Sequence, residues 1–117
     1  KVRNTIDMDS SYWDAIHSGM RKVAEAKNYY SDLGINVAGK TGTAQESRSR
    51  PNHALFVCYA PYENPEIAIA VRVANGYTSD YSAQIAKDVI KYYYHLADEE
   101  ELAGNAQELT GGSLNAD

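Results

Sequence analysis

The stretch Gly34-Ile35-Asn36-Val37-Ala38-Gly39-Lys40-Thr41-Gly42-Thr43-Ala44-Gln45 gathers the residue types that could do chemistry. It supports two incompatible readings. In the first, Gly34 to Thr41 satisfies the spacing of a phosphate-binding loop: glycine, four residues, glycine, lysine, then serine or threonine. Such a loop wraps phosphates with its amides at the start of a helix. It therefore needs an apolar strand before Gly34 and a helix from Lys40. Asn28 to Leu33 is polar and tyrosine-bearing, no helical periodicity follows through Pro51, and Ile35 and Val37 favour strand. In the second reading, Lys40, Thr41 and Gly42 lie on an edge strand that faces a reacting acyl group. Lys40 offers a positive charge to a carboxylate, and Thr41 adds a hydroxyl hydrogen bond to it. Gly42 has no side chain, so an extended substrate can pair against the strand. The backbone N–H of Thr43 then points at a developing oxyanion.

The elements that must position this stretch follow from periodicity. Trp13, Ile16, Met20 and Val23 recur at spacings of three and four, which predicts a helix over 11–27. Asp9, Ser10 and Ser11 are its cap candidates, with Asp14 able to complete a capping box on Ser11. Gly19 lies inside that pattern. Residues 28–34 read as a loop. Strands are expected over 35–45, 53–60 and 66–74, the last two joined as a hairpin through Pro61 to Pro65. In the third strand Ile67, Ile69, Val71 and Val73 line one face. Ala68, Ala70 and Ala74 line the other, where a helix is expected to pack closely. A second helix is expected from a cap at Ser79 or Asp80 to Leu96, with Ile85, Ala86, Val89, Tyr93 and Leu96 as its apolar stripe. The fold class is α+β: an antiparallel sheet, three strands in this piece, flanked by helices. The strands are apolar on both faces, which implies cover on both sides and part of the sheet missing.

Ala38-Gly39-Lys40-Thr41-Gly42-Thr43-Ala44-Gln45, followed by His53-Ala54-Leu55-Phe56-Val57-Cys58-Tyr59-Ala60-Pro61, resembles the transpeptidase domain of class B penicillin-binding proteins, nearest the elongation-type branch. Gly19-Met20 with Val23, Asn64 to Ala68, Val71 to Gly76, and Ile85 to Tyr94 agree in order and spacing, so the resemblance covers roughly residues 10–96. It implies the serine β-lactamase and penicillin-binding transpeptidase fold. It implies cross-linking of peptidoglycan, in which a serine attacks the D-Ala-D-Ala end of a stem peptide and an amine of a neighbouring stem resolves the acyl-enzyme. Carried over, Lys40 and Thr41 bind the donor or β-lactam carboxylate, Gly42 permits approach, and Thr43 supplies an oxyanion amide. The implied partners are the stem peptide, β-lactam antibiotics, the rest of the transpeptidase domain and a glycosyltransferase. The implied place is the extracytoplasmic face of a bacterial plasma membrane, on an N-terminal anchor that this chain lacks. Cys58, Ala74 and Gln84 depart from the usual glycine, acid and proline, away from the motif.

The family's nucleophile lies in Ser-x-x-Lys, and no serine here has lysine three residues later. Ser113-Leu114-Asn115 matches the family's Ser-x-Asn, but it follows Lys40-Thr41-Gly42 where the family's precedes it. Residues 1–97 therefore read as the C-terminal part of a transpeptidase domain, unable to turn over alone. A third reading keeps the fold as a non-catalytic β-lactam or peptidoglycan sensor.

Composition narrows the field. The 117 residues are 44% hydrophobic and 23% charged, which excludes a wholly disordered chain. The net charge of -5 resides in residues 98–117, which hold six acids and no Lys or Arg and are expected to be a disordered tail. The near-neutral body gives no basic patch, so no nucleic-acid partner is expected. Cys58 is the lone cysteine and His17, His53 and His95 share no ligand spacing, so no metal or cofactor is expected. Cys58 reads as a small buried apolar residue, His53 as a strand-start packing residue, and His95 as a partner of a helix C-terminus. No apolar run approaches the ~20 residues that span a bilayer. The edge-strand reading expects no nucleoside triphosphate binding, and the phosphate-loop reading expects it. Titration with fluorescent ATP separates the two.

Overall fold

The computed structural model describes residues 1–103. The order is α1 (Ser10–Glu25), a 3-10 turn (Asn28–Leu33), β1 (Ala38–Ala44), β2 (His53–Ala60), β3 (Ile67–Val73) and α2 (Ser79–Tyr93). The strands form one antiparallel sheet in the order β1-β2-β3. The expected α+β class holds.

Asp9 caps α1. Its carboxylate accepts from the Ser11 N–H at 2.8 Å and from the Ser11 hydroxyl at 2.5 Å, which holds its pKa below the usual carboxylate range. Of the three cap candidates it is Asp9 that caps, and the expected box of Ser11 and Asp14 is not formed. Residues 28–33, expected as a loop, form a 3-10 turn that buries Tyr30 and Leu33. Gly34 ends it at φ 68. The Tyr30 hydroxyl donates to the Ala83 carbonyl at 2.7 Å, so the turn is fastened to α2. Lys27 pairs with Asp80 beside it, and that hydrogen bond lowers the Asp80 pKa.

One face of the sheet carries the core. Ala54, Phe56, Cys58 and Ala60 of β2 are buried there with Ala83, Ala86 and Ile90 of α2. Phe56 is fully buried and stacks near Tyr30, ring centroids 6.2 Å apart. The burial pattern corrects two expectations. The helix that packs on β3 is α2, on the Ile67, Ile69 and Val71 side. The face of Ala68 and Ala70 is exposed; with Val57 and Met20 it lines an open groove beside α1. The inward stripe of α2 is Ser82, Ala83, Ala86 and Ile90, rotated from the expected one. Ile85 and Val89 stay 44% and 41% exposed. Small residues win the inward positions because they let the helix axis approach the sheet closely.

Helix α2 ends before the expected Leu96. His95 adopts φ 54, its N–H donates to the Tyr92 carbonyl at 3.1 Å, and the Leu96 N–H donates to the Lys91 carbonyl at 2.8 Å. This pair is a Schellman motif, with His95 in the left-handed position that glycine usually takes. The chain then turns back. Asp98 accepts from the Glu101 N–H at 2.8 Å and caps a helical turn over 99–103, in which Glu101 reaches Lys91 at 3.6 Å. The acidic segment expected to be disordered thus begins, within the described residues, with a helical turn. The rest of it, including Ser113-Leu114-Asn115, lies outside them.

Cys58 is buried, and that burial pushes its thiol up to about 12. Its neutral form is favoured by folding, and this contribution is lost as pH rises from the ordinary thiol range toward 12. At pH 8 the thiol of the folded protein stays protonated. The folded protein is expected to resist a thiol reagent at pH 8 and to react fully in guanidinium. Equal rates in both would show that the strand opens readily.

Candidate functional site

β1 is the outer strand of the sheet, and only one of its edges is paired among the described residues. Its register sets Lys40 opposite Val57, Thr41 opposite Phe56, Gly42 opposite Leu55 and Thr43 opposite Ala54. Cross-strand partners share a face, so Lys40 and Gly42 lie on the α1 side and Thr41 and Thr43 on the α2 side. Burial falls along the strand: Ala38 and Gly39 are buried, Thr41 and Gly42 are half-buried, and Lys40 and Thr43 are exposed. The strand therefore starts in the core, and its Lys-Thr-Gly stretch emerges toward solvent.

The Lys40 ammonium donates to the Thr41 carbonyl at 2.7 Å. The Val57 carbonyl oxygen would stand 3.0 Å from a Cβ on Gly39, so it points at β1, and Lys40, its partner in the register, is turned to β2; Thr41, one residue on, turns its C=O to the unpaired edge. In an antiparallel strand the N–H and C=O of one residue point the same way, and residues two apart share that direction. The N–H of Thr43 thus faces the same open edge as the Thr41 carbonyl. This stretch of strand thus carries an ammonium, a hydroxyl and a backbone donor within four residues.

The two glycines differ. A Cβ on Gly39 would collide with the Phe56 ring and stand 3.0 Å from the Val57 carbonyl oxygen. A Cβ on Gly42 would meet the Leu55 Cβ at 3.3 Å, a tight contact that requires a shift of a few tenths of an ångström. Gly39 is needed by the packing of the strand, and Gly42 is the less crowded of the two.

Sequence reasoning missed one cluster. His53 is 8% exposed at the start of β2. Its Nδ1 accepts from the Asn75 N–H at 3.1 Å, and its Nε2 lies 2.7 Å from a Glu46 carboxylate oxygen. A histidine opening an apolar strand was its one sequence signal; its partners lie seven and 22 residues away, at spacings that mark no motif. The phosphate loop is not formed. Lys40 and Thr41 are in a strand, not at a helix start, and the segment before Gly34 is a 3-10 turn. Among the described residues no three His, Cys, Asp or Glu side chains converge as metal ligands. No helix there is long and apolar enough to cross a membrane.

An antiparallel sheet with a Lys-Thr-Gly edge strand and helices on its faces defines the penicillin-binding and β-lactamase class of fold. Residues 1–91 match the family described as the penicillin binding protein transpeptidase domain. Penicillin-binding protein 2A of Bacillus subtilis is 33% identical over 92% of this chain and 17% of its own length. Peptidoglycan D,D-transpeptidase MrdA of Haemophilus influenzae is 35% identical over 69% of this chain and 16% of its own. Pseudomonas aeruginosa PBP2, solved with WCK 5153, superposes with a TM-score of 0.68 at 35% identity, covering 82% of this chain and 22% of that one. Penicillin-binding protein A of Mycobacterium tuberculosis, solved as an imipenem acyl-enzyme, gives 0.64 at 28% identity, covering 72% and 19%. The chain belongs to the penicillin-binding protein transpeptidase family, in its class B branch. It spans under a fifth of the length of these curated relatives.

Gly39→Ala is expected to cost about 1–3 kcal/mol through overpacking against Phe56, and Gly42→Ala clearly less. Thermal or urea melts of the two variants check this. Equal losses would mean that Gly42 is equally a packing residue.

Proposed function

We propose that this chain is the Lys-Thr-Gly-bearing part of a peptidoglycan D,D-transpeptidase. In this reading residues 1–97 are the C-terminal part of its transpeptidase domain and 98–117 an acidic tail. One observation carries the reading: Lys40, Thr41 and Gly42 lie on the solvent-exposed outer strand, with the Thr43 N–H directed to the open edge. Lys40 and Thr41 bind the donor's terminal carboxylate. Gly42 lets the stem peptide lie against the strand, and Thr43 donates to the oxyanion. The acylating serine comes from a part of the protein outside these 117 residues, since no Ser-x-x-Lys occurs in them. Its hydroxyl attacks the penultimate D-Ala carbonyl and the terminal D-Ala leaves. An amine of a neighbouring stem then displaces the serine.

β-Lactams are ligands in the same reading, supported by the imipenem acyl-enzyme of the mycobacterial relative. The remaining partners are the rest of the domain and a glycosyltransferase that supplies glycan strands. The place of work is the outer side of a bacterial plasma membrane, on an anchor outside this segment.

The test is intact mass after incubation with penicillin, on this chain and on the protein extended upstream in its own gene. An adduct on the extended protein alone supports the reading. An adduct on the 117 residues overturns the placement of the serine, and none on either favours a non-catalytic sensor. In the extended protein Lys40→Ala is expected to slow acylation about 10- to 100-fold, the worth of one charge-assisted hydrogen bond, with little change in melting temperature. Matched losses of acylation and stability would make Lys40 a structural edge lysine instead.

A further inference from the structure

The segment that leaves β1 is tied down by one imidazole. His53 stands opposite Ala44, in the last pair of the β1–β2 ladder. Its Nδ1 accepts from the Asn75 N–H at 3.1 Å, so the ring proton resides on Nε2 and is donated to Glu46 at 2.7 Å. Glu46 is the second residue after β1, and Asn75 lies in the turn between β3 and α2. A single buried side chain thus joins the end of β1, the start of β2 and the turn before α2. A parallel tie runs beside it, where the Tyr77 N–H donates to the Asn52 carbonyl at 3.2 Å. The turn itself holds two non-glycine residues in the left-handed region, Asn75 at φ 53 and Tyr77 at φ 61. Such conformations persist where surrounding contacts hold them.

We infer that Glu46, His53 and the Asn75 amide form a positioning clasp for the edge strand, and that the clasp holds the Thr43 N–H in place for the reacting carbonyl. The inference rests on the reading of β1 as the donor-docking strand. The physical need is plain. β1 is paired on one side, and Thr43 is its penultimate ladder residue, so its end frays unless something beyond it is anchored. Ala44 and Gln45 are exposed and offer no packing of their own. Glu46 is the first residue past the ladder with a side-chain tie to the body of the sheet. None of the three groups touches substrate; each acts through the position of Thr43. A displacement of about 1 Å at such a donor costs up to ~100-fold in rate.

The experiment uses the full-length protein and a fluorescent penicillin, separating the acylation rate constant from the affinity of the encounter complex. Glu46 is exposed, so its substitution leaves folding intact. Glu46→Ala is expected to slow the acylation step about tenfold, with affinity unchanged and melting temperature within about 2 °C. Glu46→Gln keeps an acceptor for the imidazole N–H and is expected to restore the rate to within about threefold of the unaltered protein. Ile90→Val, in the core of α2, is the control: it lowers the melting temperature and leaves acylation unchanged. The clasp is overturned if Glu46→Ala acylates at the unaltered rate, if Glu46→Gln is as slow as Glu46→Ala, or if Ile90→Val slows acylation equally. An unaltered protein that is never acylated overturns the donor-strand reading, and the clasp with it. An acylated protein whose Glu46→Ala variant keeps pace overturns the clasp alone.

Discussion

The packing of Phe56 beneath Gly39 is the contact on which the rest depends. Phe56 is fully buried, and only a residue without a side chain can occupy the adjoining position on β1. That contact fixes how β1 lies on β2, and hence the pairing of Lys40 with Val57 and Thr41 with Phe56. A slip of one residue would send Lys40 to the core side and bring Thr41 to the α1 side, because side chains alternate along a strand. The cost would be a buried, unpaired ammonium. Register, and with it the chemistry of the edge, follows from a hydrophobic constraint.

The two faces of the sheet are treated unequally. Helix α2 closes one face with Ala83 and Ala86, fastened by the Tyr30 hydroxyl to the Ala83 carbonyl and by Lys27 to Asp80. Helix α1 covers β1 and leaves Val57, Ala68 and Ala70 in an open groove, with Ala24 its one fully buried residue. Exposed apolar positions also remain on the outer side of α2 at Ile85 and Val89. A chain spanning under a fifth of its curated relatives is expected to show such surfaces, since a sheet apolar on both faces needs cover on both.

Much of this was legible in the residues. The hairpin strand over 53–60 was legible in its near-continuous apolar run and its bounding prolines, and it agrees residue for residue. The Lys-Thr-Gly strand was legible because Ile35 and Val37 break any helical reading of the phosphate-loop spacing. Less legible were features set by competition between neighbours. Asp9 outcompeted Ser11 as a cap, the segment 28–33 became a 3-10 turn because Tyr30 found a carbonyl on α2, and α2 rotated so that alanines met the sheet. Each outcome depends on a partner far along the chain or on a difference of one turn, which periodicity does not resolve.

By itself the sequence determined the two main helices, the three strands, their order, the Lys-Thr-Gly run and the family, because these rest on local patterns of apolarity and on short ordered runs. The tertiary structure alone decided which edge of β1 is unpaired among the described residues, where the Thr43 amide points and which face of β3 is covered. It also decided that His53 joins Glu46 to Asn75. The physical reason is that a strand's hydrogen-bonding direction and a side chain's partner are set by register and packing. Both are established only when segments distant in sequence meet.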